Sequence, residues 1–440
     1  MAIRQRLHPN SDTVEVLRSF CDHERFLINL SVEQYEFASR YRAYASHPHE
    51  AAKSRQEWPW AGSRSSELTE LRKELPWLRN GSQKAQQQAL RLIDKSYRSW
   101  FNRPDHFRRP TFRRQDDVQG FSVVGAGTDF GVRKINAKWG EVRLPKLGWV
   151  KFRLTRHFSQ IEEAKSIRVT LDKASRWHVS FTLSQPTFEK KATGAVVGID
   201  RGIANTVATS DGALLSIPSP SPKEKERFVR LQRQLARQKK GSGRRNKTKV
   251  KIARLYAKQT DRKKDWIEQT TTQLVRDYDQ IFLERLNVKG MSRSAEGTKT
   301  KPGKNVAQKR GLNRGIQSAN WGALELRLKQ KADAATEPTL VEKVSAHYTS
   351  QQCSNEECGH INKRNRESQA VFKCIVCGLE LHADVNAAIN IRERGMSRHL
   401  ASAAGLVVAA RGGQSCAESV ATLAEQDDPV KREPLRQDAA

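Results

Sequence analysis

What this sequence lacks narrows its reading before any motif is considered. No apolar run is long enough to span a bilayer: the longest near the C-terminus, Gly405 to Ala410 with its alanine neighbours, falls far short of the roughly 20 residues required. The opening MAIRQRLHPN has no apolar stretch of the signal-peptide kind, so integral-membrane and secreted readings are poor. No internal repeat is visible. Acidic residues are scarce, with 48 Asp+Glu against 79 Lys+Arg, which leaves a net charge of +31 over 440 residues. An enzyme for small neutral substrates has no use for such a field, and its natural counterpart is a polyanion, DNA or RNA being the commonest. An anionic membrane surface would call for a basic amphipathic anchor, and none is evident. The hydrophobic share of 37% still permits real cores. At roughly 100–200 residues per domain the length suggests two to four of them.

Cysteine is also sparse, and its placement is uneven. Cys21 and Cys416 stand alone, while Cys353, Cys358, Cys374 and Cys377 fall close together as Cys-x4-Cys followed by Cys-x2-Cys. Tight pairs of this kind read as metal ligands rather than disulfides. Thiolates suit a tetrahedral Zn²⁺, and a shell of four leaves no open position, which predicts a structural zinc ribbon. His360 and His382 are the nearby substitutes should one cysteine not bind.

Periodicity divides the chain into regimes. Residues 13–100 read as mostly helical, with apolar stripes through Leu17, Phe20, Leu27 and Ile28 and through Ala89, Leu90 and Ile93, and a loop near Gly62 to Ser66. Trp58, Trp60, Trp77, Trp100 and Phe101 lie among basic residues, and read as core rather than as stacking platforms. From about 113 to 186 the period falls to two. Ile167, Val169 and Leu171 alternate, as do Trp177, Val179 and Phe181, with a turn at Asp172 to Ser175. These signals predict a small antiparallel β-domain and possible closure into a barrel. GAVVGID (194–200) is a short buried strand, and residues 206–217 form a hairpin. Residues 223–264 carry 18 Lys/Arg against three acidic residues. They predict two basic helices joined near Gly241 to Gly243 and suited to phosphate contact. Residues 280–288 and 338–346 read as strands and 312–335 as a helix. Ala383 to Arg394 is helical in composition, and a poorly ordered tail follows Gly395.

Three carboxylates stand out. Asp200 and Glu284 each end an apolar strand, where burial gains nothing unless the carboxylate is paired or binds a cation. Asp384 opens a helix just after the ribbon. Singly they read as a turn residue, a strand end and an N-cap. Together, in a chain charged for polyanions, they suggest a two-metal nuclease site in which hard cations activate water against a phosphodiester.

GIDRGIANTVATSDG (198–212), FLERLNVKGM (282–291) and ADVNAAINI (383–391) resemble the three RuvC motifs of the TnpB family and of its descendants, the compact type V CRISPR effectors. LNRGIQSANWGALELRLKQKA (312–332), YTSQQC (348–353) and the ribbon's place between the second and third motifs fit the same family. These signatures cover roughly residues 190–395. The family's first cysteine pair is usually Cys-x2-Cys, and here SNEE lengthens it. The resemblance implies a multidomain α+β protein. Residues 1–12 would start a wedge domain, 13–112 form a helical recognition lobe, and 113–190 form the antiparallel β-barrel of the wedge. Residues 191–346 and 382–396 would make an RNase H-like RuvC α/β domain, with a zinc ribbon inserted at 347–381 and a flexible tail at 397–440. It further implies Asp200, Glu284 and Asp384 as catalytic ligands of Mg²⁺ (or Mn²⁺), structural Zn²⁺ on Cys353, Cys358, Cys374 and Cys377, and a bound guide RNA. The partners would be that RNA and target DNA, double- and single-stranded. A monomer is favoured over a dimer on one RNA, in a prokaryotic cytoplasm and at the nucleoid when bound to DNA. The expected activity is RNA-guided cleavage of DNA beside a short duplex motif. The alternatives are a guided DNA-binding protein or repressor that does not cut, and a transposition accessory factor.

Overall fold

The computed structural model describes residues 2–44, 61–115, 117, 119–183, 188–298 and 300–410. They form two compact units, one of residues up to 187 with 219–264, the other of 188–218 and the chain from 265 onward. No described helix is long and apolar enough to cross a membrane.

The first unit is built on a seven-stranded sheet ordered β2-β6-β7-β1-β5-β4-β3. Its strands are β1 (Ala2–His8), β2 (Gln119–Val124), β3 (Gly131–Lys134), β4 (Trp139–Leu144), β5 (Gly148–Arg153), β6 (Ser166–Leu171) and β7 (Trp177–Thr182). Every pairing is antiparallel. Alternation puts Trp177, Val179 and Phe181 on one face with Phe121, Val123, Phe152 and Leu7, all buried in one cluster. The expected hairpin is present. The Asp172 carboxylate accepts from the amides of Ala174 and Arg176, at 2.9 Å each, and fixes the turn between β6 and β7. The expected barrel is not. β2 and β3 are the outer strands, and no ladder among the described residues joins them. A period of two shows that each strand has one buried face, and says nothing about closure. β1 escaped the periodicity reading because Ile3 and Leu7 are its only large apolar residues among charged and polar ones, yet it pairs with both β5 and β7 near the sheet centre.

Helices α1 (Ser11–Tyr44), α2 (Ala61–Glu74) and α3 (Gln83–Asn102) complete this half of the unit. Gly62 to Ser66, expected as a loop, lies in α2. That helix buries Leu68 against Leu27, Leu78 and Leu90 and is anchored by a charge as well: buried Arg64 pairs with Asp94 of α3, which also accepts from the Tyr35 hydroxyl at 3.0 Å. Trp77 and Phe101 are exposed rather than core, and Trp100 is half-buried. Trp58 and Trp60 lie outside the described residues. The two basic helices are α4 (Pro222–Arg237) and α5 (Gly243–Asp277), separated by Gly241 at φ +83°. Ser221 and Glu224 form a capping box at the start of α4.

The second unit centres on a five-stranded sheet ordered β10-β9-β8-β11-β12. β8 (Val196–Asp200), β11 (Gln280–Glu284) and β12 (Leu340–Val344) run parallel, and β9 (Val207–Thr209) and β10 (Leu214–Leu215) add an antiparallel edge. Val197, Ile199, Ile281, Phe282 and Leu283 are fully buried, the continuous apolar run of strands covered on both faces. The predicted helix at 312–335 is two, α6 (Val306–Ala319) and α7 (Trp321–Ala332), broken at Asn320 in a left-handed conformation. The last helix, α8, runs Ala383–Ala410, so residues 397–410 continue it instead of forming a tail. It crosses β8 closely. A Cβ added at Gly198 would come within 2.0 Å of the Ala388 carbonyl oxygen, and one at Gly395 within 2.1 Å of the Phe282 ring.

Candidate carboxylate site and four-cysteine centre

Parallel strands place their C-terminal ends on one edge of the sheet, and this is where β8 and β11 deliver Asp200 and Glu284. The two carboxyl groups share a hydrogen bond. Burial drives Asp200 well above the usual carboxylate range, and the neighbouring charges of Glu284 and Asp384 add to it. Burial also raises Glu284, against the pull of hydrogen bonds from Asp200 and Thr349 and of the Arg201 charge. The two carboxyl groups titrate as one unit, and burial makes the pair harder to ionise than free carboxylates.

Asp384 reaches the same place from the first turn of α8. Asn205 Nδ2 donates to its Oδ2 at 3.0 Å, and Arg366 stands 3.6 Å from Oδ1. Its own amide donates to His382 Nδ1 at 3.2 Å. Glu284 is braced by Thr349, whose hydroxyl lies 3.3 Å from Oε1. The closeness of α8 to β8 at Gly198 brings Asp384 to the strand ends.

A row of polar side chains on α8 fastens the 348–353 segment to it. Asn386 Nδ2 donates to Gln352 O at 2.8 Å and Asn390 Nδ2 to Thr349 O at 2.9 Å. Arg394 Nη1 donates to His347 O at 2.6 Å. Asn386, Asn390 and Arg394 were not singled out from the sequence, although their spacing of four places them on one side of the helix. Arg201, Asn205 and Thr349 lie within the 198–212 and 348–353 segments, but neither they nor Arg366 stand out individually in the sequence, because only tertiary packing turns them toward the carboxylates.

The three carboxylates are an all-oxygen donor set, partly or fully buried, which suits hard divalent cations. Their burial is costly unless a proton or a cation offsets the crowded charge, and the raised Asp200 shows how strong that demand is. The set is more open than the cysteine group. Among the described residues, Cys353, Cys358, Cys374 and Cys377 alone place three or more such ligand atoms within 4.8 Å of one another.

Within that centre the Sγ atoms of Cys353 and Cys377 are 3.5 Å apart, and those of Cys358 and Cys374 3.7 Å. Tetrahedral coordination at a Zn–S length of about 2.3 Å calls for sulfurs about 3.8 Å apart, so the four cysteines can hold zinc. The longer first pair is accommodated by a turn in which the amides of Cys358 and Gly359 donate to Asn355 O. Gly359 and Gly378, each following the second cysteine of a pair, adopt φ +52° and +74°. Buried Asn365 joins the two knuckles, donating to Gln351 O and His360 O and accepting from the Ile375 amide. Burial raises the Cys374 thiol, but amides of Cys377 and Val376 outweigh it and bring it to about 7. Neither His360 nor His382 is needed as a substitute ligand.

These features define a class: an α/β unit with carboxylates gathered at its parallel strand ends and a four-cysteine ribbon leading directly into its last helix. Residues 178–295 match a family described as "Probable transposase", and residues 321–391 match the Cas12f1-like TNB domain. The chain is 31% identical over 401 residues to the Escherichia coli K12 protein named "Putative RNA-guided DNA endonuclease InsQ", covering 90% of this chain and 92% of that one. It is 47% identical over 72 residues to the CRISPR-associated endodeoxyribonuclease Cas12f1 of Sulfoacidibacillus thermotolerans, 16% of this chain and 17% of the relative. Its fold resembles that of the protein in a cryo-EM structure of a Cas12f1–sgRNA–target DNA complex, with a TM-score of 0.52 at 15% identity over 87% of this chain and 83% of the other. The chain belongs to the TnpB family, the group to which the compact type V effectors are related.

Proposed function

We propose that the protein is an RNA-guided DNA endonuclease that binds a structured guide RNA, reads a short duplex motif beside its target and hydrolyses DNA at Asp200, Glu284 and Asp384. The observation that carries this reading is the meeting of three carboxylates from separate elements at one strand edge, in a chain of charge +31. The relatives' names support it. The second unit is then an RNase H-like RuvC domain, with Cys353, Cys358, Cys374 and Cys377 holding a structural zinc. Mg²⁺ or Mn²⁺, when bound, supplies an activated water and offsets charge on the leaving oxygen. Asp200 and Asp384 would flank the cations and Glu284 would complete the set. Asn205 and Arg366 orient Asp384, and Thr349 orients Glu284.

The first unit would hold RNA. The sheet face opposite its core carries Arg4, Arg6, His8, Lys151 and Arg153 beside Trp139 and Trp149. Arg153 lies 5.3 Å from the Trp139 ring centre and Arg133 4.2 Å from that of Trp149. Basic groups over the exposed Trp149 and the half-buried Trp139 suit phosphates and stacked bases. The test is direct: Asp200→Ala or Glu284→Ala should abolish Mg²⁺-dependent cleavage while target binding survives. Cutting by either variant would refute the site.

The match of residues 178–295 to a transposase family supports a second reading, an accessory to transposition that acts without a guide. Sequencing the copurified RNA separates the two. One structured species with a variable end supports guidance, and random cellular RNA supports the accessory role.

A further inference from the structure

Arg201 follows Asp200 directly, and its side chain is only 2% exposed. A guanidinium at that depth is costly unless its donors are used. Arg201 divides them. Nη2 donates to the backbone carbonyl of Glu284, and Nη1 lies 3.2 Å from Glu325 Oε2 on α7. Glu325 is held in turn by Lys343 of β12 at 2.6 Å and Lys329 at 3.5 Å. The loop that Arg201 begins is tied down along its length. Trp321 Nε1 donates to Gly202 O at 3.2 Å, and Asn205 at its far end donates to Asp384. One short loop thus grips the end of β11 with its first residue and the start of α8 with its last.

We propose that Arg201 and Glu325 are a positioning pair for the carboxylate site, setting how readily it takes a divalent cation; this rests on the nuclease reading above. Arg201 fixes the Glu284 backbone relative to Asp200, and so fixes the spacing of the two carboxylates. Its planar fork engages a carbonyl and a carboxylate at once, which a single ammonium does not reproduce. Glu325 holds the fork in place and balances its charge. The positive charge also lies behind the acidic cluster whether or not a cation is bound.

Arg201→Lys keeps the charge and removes the fork, so it isolates positioning from electrostatics. Glu325→Gln keeps the shape of the partner and removes its charge. Both are to be purified with their copurified RNA, and their cleavage of a matched DNA measured across a Mg²⁺ titration, alongside target binding and thermal melting. Each variant should raise the half-saturating Mg²⁺ concentration by about tenfold with target binding unchanged, the size usual when a group orienting a metal ligand is lost. The double variant should be no worse than the more severe single one, because both break one connection. A half-saturating Mg²⁺ concentration equal to the parent's overturns the proposal, whatever happens to melting or maximal rate. Asp200→Ala serves as the control. If it cuts, the carboxylate reading itself fails; if it is inert while Arg201→Lys behaves like the parent, only the positioning pair fails.

Discussion

At the scale of single residues, the site is a problem of crowded negative charge. Burial and the neighbouring carboxylates make full ionisation of the Asp200–Glu284 pair expensive. Groups that orient the carboxylates then matter nearly as much as the carboxylates. Asn205→Ala and Thr349→Val should each reduce cleavage roughly 10–100-fold with target binding intact, as read by parallel cleavage and binding assays. A second residue reports on the other unit. Burial, then the charge of Arg4, lowers His178 to about 4 from an ordinary 6.5. The unfolded chain therefore takes up a proton first as pH falls. The stability that His178 contributes is complete above about 6.5 and is lost progressively toward 4. Denaturant unfolding of His178→Gln should show a flatter pH dependence across that window than the parent. Asp200 and Glu284 were legible because each ends an apolar strand, and the cysteines because of their spacing. Asn205 and Thr349 are ordinary loop residues in sequence, and become part of the site only because β8, β11 and α8 meet there.

At the scale of elements, close packing does the placing. Helix α8 approaches β8 where Gly198 leaves room, and a methyl there meets backbone, which cannot swing aside. Gly198→Ala should cost at least about 1–3 kcal/mol in denaturant unfolding, the usual range for overpacking, and should reduce cleavage by moving Asp384. The ribbon joins the same helix, with β13 (Val371–Lys373) and β14 (Glu380–His382) pairing just before Ala383. Cys374→Ser should lower bound zinc from one ion per chain in metal analysis and loosen the segment before α8. The order of strands and helices was largely legible from hydrophobic period. What was not legible lay in contacts: the charge anchor of α2 at Arg64, the left-handed break at Asn320, and the open edges of a sheet expected to close.

At the scale of the whole molecule, the excess of Lys and Arg is what the opening composition announced, and residues 223–264 concentrate it. Helices α4 and α5 expose most of it. Three of these cations or amides converge on one acid: Lys258, Gln259 and Arg262 all reach Glu224. Most of the other Lys and Arg side chains of the stripe are exposed to solvent. RNA binding should therefore weaken steeply with salt, and the RNA-loaded protein should melt well above the stripped protein. Equal melting temperatures would mean that the charge serves something else. The most direct measurement of the central claim uses the complex with its own RNA. A DNA duplex library carrying the complement of that RNA's variable end, beside a randomised flank, is incubated with Mg²⁺ and sequenced for cut ends. The account predicts cleavage only of matched targets with a restricted set of flanks, and none by the Glu284→Ala complex. Cleavage indifferent to the match, or intact DNA throughout with the target bound, would contradict it.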